Sequence, residues 1–205
     1  MGMRNFLRRF PSVQTVYVRE ENLTGTGGPI WANAVDSLVP TTLTGLSYSG
    51  GSYNGDYFQV LAGFTALTTL HIHRSCRFSS VLGLEVLSSL KTLDLSGTSS
   101  VLDDDAFSSL SGLINLTYLN LTNCDKLSST HGFATLTCFT AFTSLNLDGT
   151  LANDNVLRGT VSRLSGLTRF VFRRPASYLA IDGEPITVRG VRGLICKIRC
   201  TCSPV

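Results

Sequence analysis

The sequence predicts an α/β solenoid in which short parallel strands line one face and helical turns line the other. Three observations carry that expectation. In the segment Leu87–Thr98, LSSLKTLDLSGT, leucines stand at Leu87, Leu90, Leu93 and Leu95. Their spacing drops from three to two, from the helix interval to the strand interval. The same switch, an L-x-x-L-x-L core, begins at Val13, Leu43, Leu67, Leu90, Leu116, Phe142 and Leu167, with a weaker copy at Val191. Successive starts are 30, 24, 23, 26, 26, 25 and 24 residues apart, and a period this regular defines a repeat architecture.

These cores resemble the leucine-rich repeat family over about residues 10 to 200. The copies at Leu67, Leu90, Leu116 and Phe142 are near ideal, and the first two and the last are degenerate. The resemblance implies a curved right-handed array of about seven to eight repeats, with a parallel sheet on its concave face and short helices or helical turns on its convex face. One continuous solenoid is expected over residues 1–205, because each repeat contacts only its neighbours. Within it, residues 1–12, with Phe6, Leu7 and Phe10, read as an N-terminal half-repeat. Residues 22–40 read as an irregular insertion and 186–205 as a degenerate last repeat whose apolar end is uncapped and open to self-association.

Each core is expected to form one strand. Its fourth and sixth positions point inward and its fifth and seventh outward, because side chains alternate along a strand. The return leg Val101–Leu113 carries Phe107, Leu110 and Leu113 at helical spacing. Asp103, Asp104 and Asp105 open it, where acceptor side chains cap free amides and suit the helix dipole. At the ninth position stand Glu21, Gly51, Ser75, Thr98, Cys124, Thr150 and Pro175. The resemblance implies Asn, Cys or Thr there, serving the backbone of the turn. Thr98, Cys124 and Thr150 match, and Glu21, Gly51 and Pro175 depart.

Composition is globular, with 43% hydrophobic and 15% charged residues. The formal net charge is +3, unevenly placed. Residues 1–157 hold 8 Lys+Arg against 12 Asp+Glu, and residues 158–205 hold 9 against 2. An acidic middle argues against a long nucleic-acid track, while the basic C-terminal quarter leaves a polyanion as a weaker alternative. No run of 18 apolar residues offers a membrane span. The start MGMRNFLRRFPSV lacks the apolar region of a secretory signal, and the six cysteines form no paired framework. The expected setting is therefore intracellular and cytoplasmic.

Functional expectations rest on the outward columns. The fifth position reads Tyr17, Ser47, His71, Asp94, Asn120, Asn146, Val171 and Ile195; the seventh reads Arg19, Ser49, His73, Ser96, Thr122, Asp148, Arg173 and Lys197. Tyr118 and Arg169 join them from the third position. In the leucine-rich repeat family this face is the usual binding surface. The resemblance therefore implies a non-catalytic protein–protein interaction scaffold using His71, His73, Asp94, Tyr118, Asn120, Thr122, Asn146, Asp148, Arg169 and Arg173. The alternatives are a secreted or surface-exposed recognition domain, and a fragment whose effector domain lies elsewhere.

Other motifs carry less. His71, His73 and Asp94 lie close enough to suggest a metal, but three ligands without shape are weak, and plain solvent-facing side chains are the preferred reading. Cys196, Cys200 and Cys202 lack the second pair that a zinc site wants. Sequons at Asn22, Asn115 and Asn120 are expected by chance in so Ser- and Thr-rich a chain. The glycine-rich GTGGP at Gly25–Pro29 has no following lysine and reads as loop. No hydrolase, kinase or metalloprotease signature occurs, and His131 falls in a return leg. No cofactor, metal or catalytic residue is assigned.

Overall fold

A computed structural model describes residues 12–20, 42–50, 57–73, 81–98, 102–172 and 199–200. Eight parallel strands form one sheet in chain order: β1 Thr15–Glu20, β2 Gly45–Gly50, β3 Thr69–His73, β4 Thr92–Asp94, β5 Tyr118–Asn120, β6 Ser144–Asn146, β7 Arg169–Val171 and β8 Arg199–Cys200. The register follows the sequence core through seven of them. The fourth core position runs straight across as Val16, Leu46, Leu70, Leu93, Leu119, Leu145 and Phe170. The eighth strand departs from expectation. Its pairing partner for Phe170 is Cys200 rather than Leu194, so the strand enters later than the Val191 core implies. The half-repeat, the insertion, the Gly25–Pro29 loop and most of the last repeat lie outside the described residues.

Neighbouring parallel strands need a crossover, and the return legs supply it. Helices α1 Asp104–Ser108, α2 Thr130–Ala134 and α3 Asp154–Gly159 each run into a 3-10 turn, at Ser109–Gly112, Thr135–Cys138 and Val161–Arg163. An earlier return leg carries the 3-10 helix Tyr57–Gly63. The three α-helices share one device. Asp103, Ser129 and Asn153 precede them in extended backbone and accept a hydrogen bond from the amide three residues on. Asp103 thus caps as its place in the sequence implies. Asp104 does more, because its carboxylate reaches the next repeat and accepts from the amide of Ser129 at 3.2 Å.

The fourth and sixth core positions are buried from β2 through β7, for example Leu93 with Leu95 and Leu119 with Leu121. They pack against the apolar side chains of the return legs. Phe107 and Phe133, from consecutive legs, meet edge to face at 6.4 Å. One repeat alone cannot offset the backbone entropy of ordering its residues, so stacking on both flat faces is what makes the array stable.

Two features of the turns bind the repeats together. The second core position is threonine in most copies. Thr44, Thr68, Thr117, Thr143 and Thr168 each donate the hydroxyl to the second-position carbonyl of the preceding repeat, at 2.9–3.2 Å. Two backbone amides of the later repeat converge on the same carbonyl, as Thr143 and Ser144 do on Thr117. Beyond the strand, the eighth position turns the chain in the left-handed region at Gly97, Asn123 and Gly149, with φ of 74°, 59° and 71°. The ninth then closes the turn as expected. The Thr98 and Thr150 hydroxyls donate to Leu95 and Leu147 carbonyls, and the Cys124 thiol donates to Leu95. Burial pushes the Cys124 thiol up to about 11, against the lowering effect of its hydrogen bond with Thr98.

Three outcomes test this account. Gly149→Ala lowers unfolding stability by about 1–3 kcal/mol in urea denaturation, because the φ is left-handed and an added Cβ would stand 2.3 Å from Asn123 Oδ1. Gly159→Ala, at the exposed end of α3 with open space around it, instead adds about 0.5–1 kcal/mol. Thiol alkylation followed by peptide mapping should modify exposed Cys138 rapidly in the folded chain and spare buried Cys124 until unfolding.

Candidate functional site

The sheet face away from the return legs is polar. Its fifth-position row is Tyr17, Ser47, His71, Asp94, Asn120, Asn146 and Val171, each beside the next in register. The third-position row includes Tyr118, Ser144 and Arg169. At the seventh position Arg19, Ser49 and His73 pair within the strands. Ser96, Thr122 and Asp148 continue past the strand ends, where Gly97 and Asn123 donate backbone amides to Thr122 and Asp148. Of the ten partner-facing residues expected from sequence, nine fall on this face. Arg173 lies outside the described residues, as do Ile195 and Lys197.

The central residues are tied to one another. Asp94 is only 7% exposed. Its Oδ1 accepts the Ser96 amide at 2.9 Å and its Oδ2 accepts the Asn120 Nδ2 at 3.0 Å. Asn120 Oδ1 accepts both the amide and the hydroxyl of Thr122, at 3.1 and 2.6 Å. Asn146 Oδ1 accepts the Asp148 amide at 2.9 Å. Each side chain thus folds back on the amide two residues ahead, an Asx turn that ends the strand. This structural role was missed from sequence. Its signal was present in the order Asp-Leu-Ser, Asn-Leu-Thr and Asn-Leu-Asp at the ends of β4, β5 and β6.

Of the sequons, Asn115 donates its amide to the Ser88 carbonyl at 2.8 Å, a further tie between repeats. Asn120 sits in the Asx row.

The histidines extend the cluster. His71 and His73 rings meet edge to face at 5.5 Å. His73 Nδ1 lies 3.2 Å from Ser96 Oγ and 3.7 Å from Asp94 Oδ1. A serine, a histidine and an aspartate are therefore together, but acid and hydroxyl approach the same ring nitrogen. Nucleophilic relays need them on opposite nitrogens, so this trio is not arranged as one. Among the described residues no three His, Cys, Asp or Glu side chains are grouped to hold a metal ion. Burial lowers the His71 pKa, opposed by the Asp94 charge and reinforced by His73. Burial raises the Tyr118 pKa, with Asp94 raising it further and Arg169 pulling it down.

No protein-family model matches the chain, and no curated protein matches it in sequence. Solved structures do match. An internalin (InlF) from Listeria monocytogenes superposes with a TM-score of 0.63 at 18% identity, over 97% of this chain and 53% of that one. Internalin C2 from the same organism gives 0.54 at 21% identity, over 85% of this chain and 69% of that one. At these identities the likeness is one of fold, and the chain spans about half the length of the first internalin. Among the described residues no helix is long and apolar enough to cross a membrane.

The lowered pKa of His71 makes stability depend on pH. Below the ordinary histidine value of 6.5 the unfolded chain binds the proton and the folded chain resists it. Stability is therefore full above that value and falls as pH drops through the window beneath it. Urea unfolding at a series of pH values from about 7.5 to about 5 should show this decline in the wild type and a shallower one in His71→Asn.

Proposed function

We propose that this chain, a leucine-rich-repeat solenoid, is a non-catalytic scaffold that recognises a protein partner through its sheet face. One observation carries the reading. The apolar positions of β2 through β7 are turned inward, while a row of polar side chains is held on the opposite side by Asx turns and interstrand bonds. Such a row is fixed before any partner arrives, so binding loses little side-chain entropy. Beside it stand Tyr118 and Arg169, residue types that anchor protein interfaces more often than others. The arrangement of His73, Ser96 and Asp94 gives no support to a catalytic reading. A face spread over seven strands in register suits an extended or flat protein surface better than a small molecule held in a cleft.

Asp94 and Asn120 hold the face together, so they are poor probes of contact. Affinity capture from cell extract should instead compare the wild type with the combined variant His71→Ala, Tyr118→Ala, Asp148→Ala and Arg169→Ala. The control is Ser111→Ala with Arg163→Ala on the helical side. With all three folded by circular dichroism, the face variant should lose at least about tenfold of a captured protein, a cost of about 1.4 kcal/mol, and the control should keep it. Equal capture by wild type and face variant would rule out the sheet face as the contact surface.

A further inference from the structure

One part of the sheet face differs from the rest. In the centre the polar groups satisfy each other, but on β5, β6 and β7 several donors do not. Tyr118, Ser144 and Arg169 stand side by side in register, a large, a small and a large residue on adjacent strands. Neighbouring strands lie about 4.8 Å apart, so Tyr118 and Arg169 flank a notch roughly 10 Å wide at the backbone, floored by Ser144. Among the described residues nothing accepts a hydrogen bond from the Tyr118, Ser144 or Arg169 side chains.

Asn146 joins the notch from the next outward position of β6. Its carbonyl oxygen is occupied by the Asp148 amide, which leaves the NH2 as its available group. Asn120 passes the corresponding NH2 to Asp94. Asn146 has no such neighbour, because Asn120 Oδ1 is taken by Thr122 on one side and Val171 is apolar on the other. Register therefore sets two hydroxyls, an amide NH2 and a guanidinium on neighbouring outward positions of three adjacent strands. The phenol is kept in its donor form by burial and by Asp94. Of the other acids of the face, Asp94 stands on β4, three strands from Arg169 on β7, and Asp148 follows Ser144 by four residues, past the end of β6.

We propose that this notch receives the side-chain carboxylate of an aspartate or glutamate on the protein partner. Arg169 offers the planar fork that matches a carboxylate, and Ser144 leaves the room to seat it. The proposal deepens the scaffold reading and rests on it, since it names the chemistry the partner must bring to one place on the face.

The test is a titration of the isotope-labelled chain followed by amide chemical shifts, with N-acetylglutamate amide as the probe. The neutral glutamine analogue and inorganic phosphate are the comparisons. The glutamate probe should produce saturable shifts at Tyr118, Ser144, Asn146 and Arg169, at least about tenfold tighter than the glutamine analogue. Arg169→Gln should abolish them, and Ser144→Leu, which fills the notch while facing outward, should do the same. Tyr118→Phe serves as a third variant should either of these fail to fold. Equal response to the glutamate and glutamine probes, no saturable shift, or tighter binding of phosphate than of carboxylate would each overturn the proposal. Capture of a partner by the wild type and its loss from the four-residue face variant, alongside a silent titration, rejects the notch and leaves the scaffold reading standing. A silent titration together with equal capture by the wild type and the face variant rejects both.

Discussion

No strand in this chain can satisfy its own backbone. Every strand amide and carbonyl that is paired takes its partner from the repeat before or after. The most heavily used acceptors are the second-position carbonyls. Each of several receives two amides and a threonine hydroxyl from the next repeat, as the carbonyls of Thr44 and Thr117 do. These shared acceptors fix the register, and the register fixes everything on the two faces. Inside, it lays Leu70, Leu93, Leu119 and Leu145 in one continuous line. Outside, it places Asp94 beside Asn120 and Tyr118 beside Ser144. A slip of one residue would exchange the two sets, with leucines in water and carboxylates in the core.

Much of this was legible in the sequence because it depends on hydrophobic period alone. The change from a spacing of three to a spacing of two locates a strand, and its recurrence locates the next. The register of β1 through β7 follows from counting. The ninth-position residues Thr98 and Thr150 were also legible, since their hydroxyls close turns within their own repeats, whereas the Cys124 thiol reaches back to Leu95 of the preceding one. The eighth strand was not. Its apolar pattern is weak, and spacing points to Val191 where the pairing is with Cys200. Where the side chains no longer distinguish one register from another, period has nothing to act on.

The polar face was legible only in outline. Alternation tells which residues point outward, and nine of ten expected positions do. It does not tell which lone pair or N–H is already engaged, because the partners lie on other repeats or two residues ahead. Asp94 and Asn120 read as contact residues, and their hydrogen bonds also brace the face. Ser144, which was not singled out, matters because it is small between two large neighbours, a relation visible only across strands. Asp104 was assigned to the start of its own helix, yet its carboxylate serves Ser128 and Ser129 in the following repeat.

The direction of the interstrand bonds also has a mechanical meaning. They run broadly along the axis of the stack, slanted across the chain in each strand as parallel pairing requires. Tension drawn along that axis loads the repeats in series, and the weakest junction carries the same force as the strongest. Such an array yields one junction at a time, giving a soft and stepwise extension instead of a single brittle rupture. The threonine hydroxyls add one further bond at five of those junctions and none where Lys91 interrupts the column. Under load, the boundary between the third and fourth strands therefore lacks a tether that its neighbours possess.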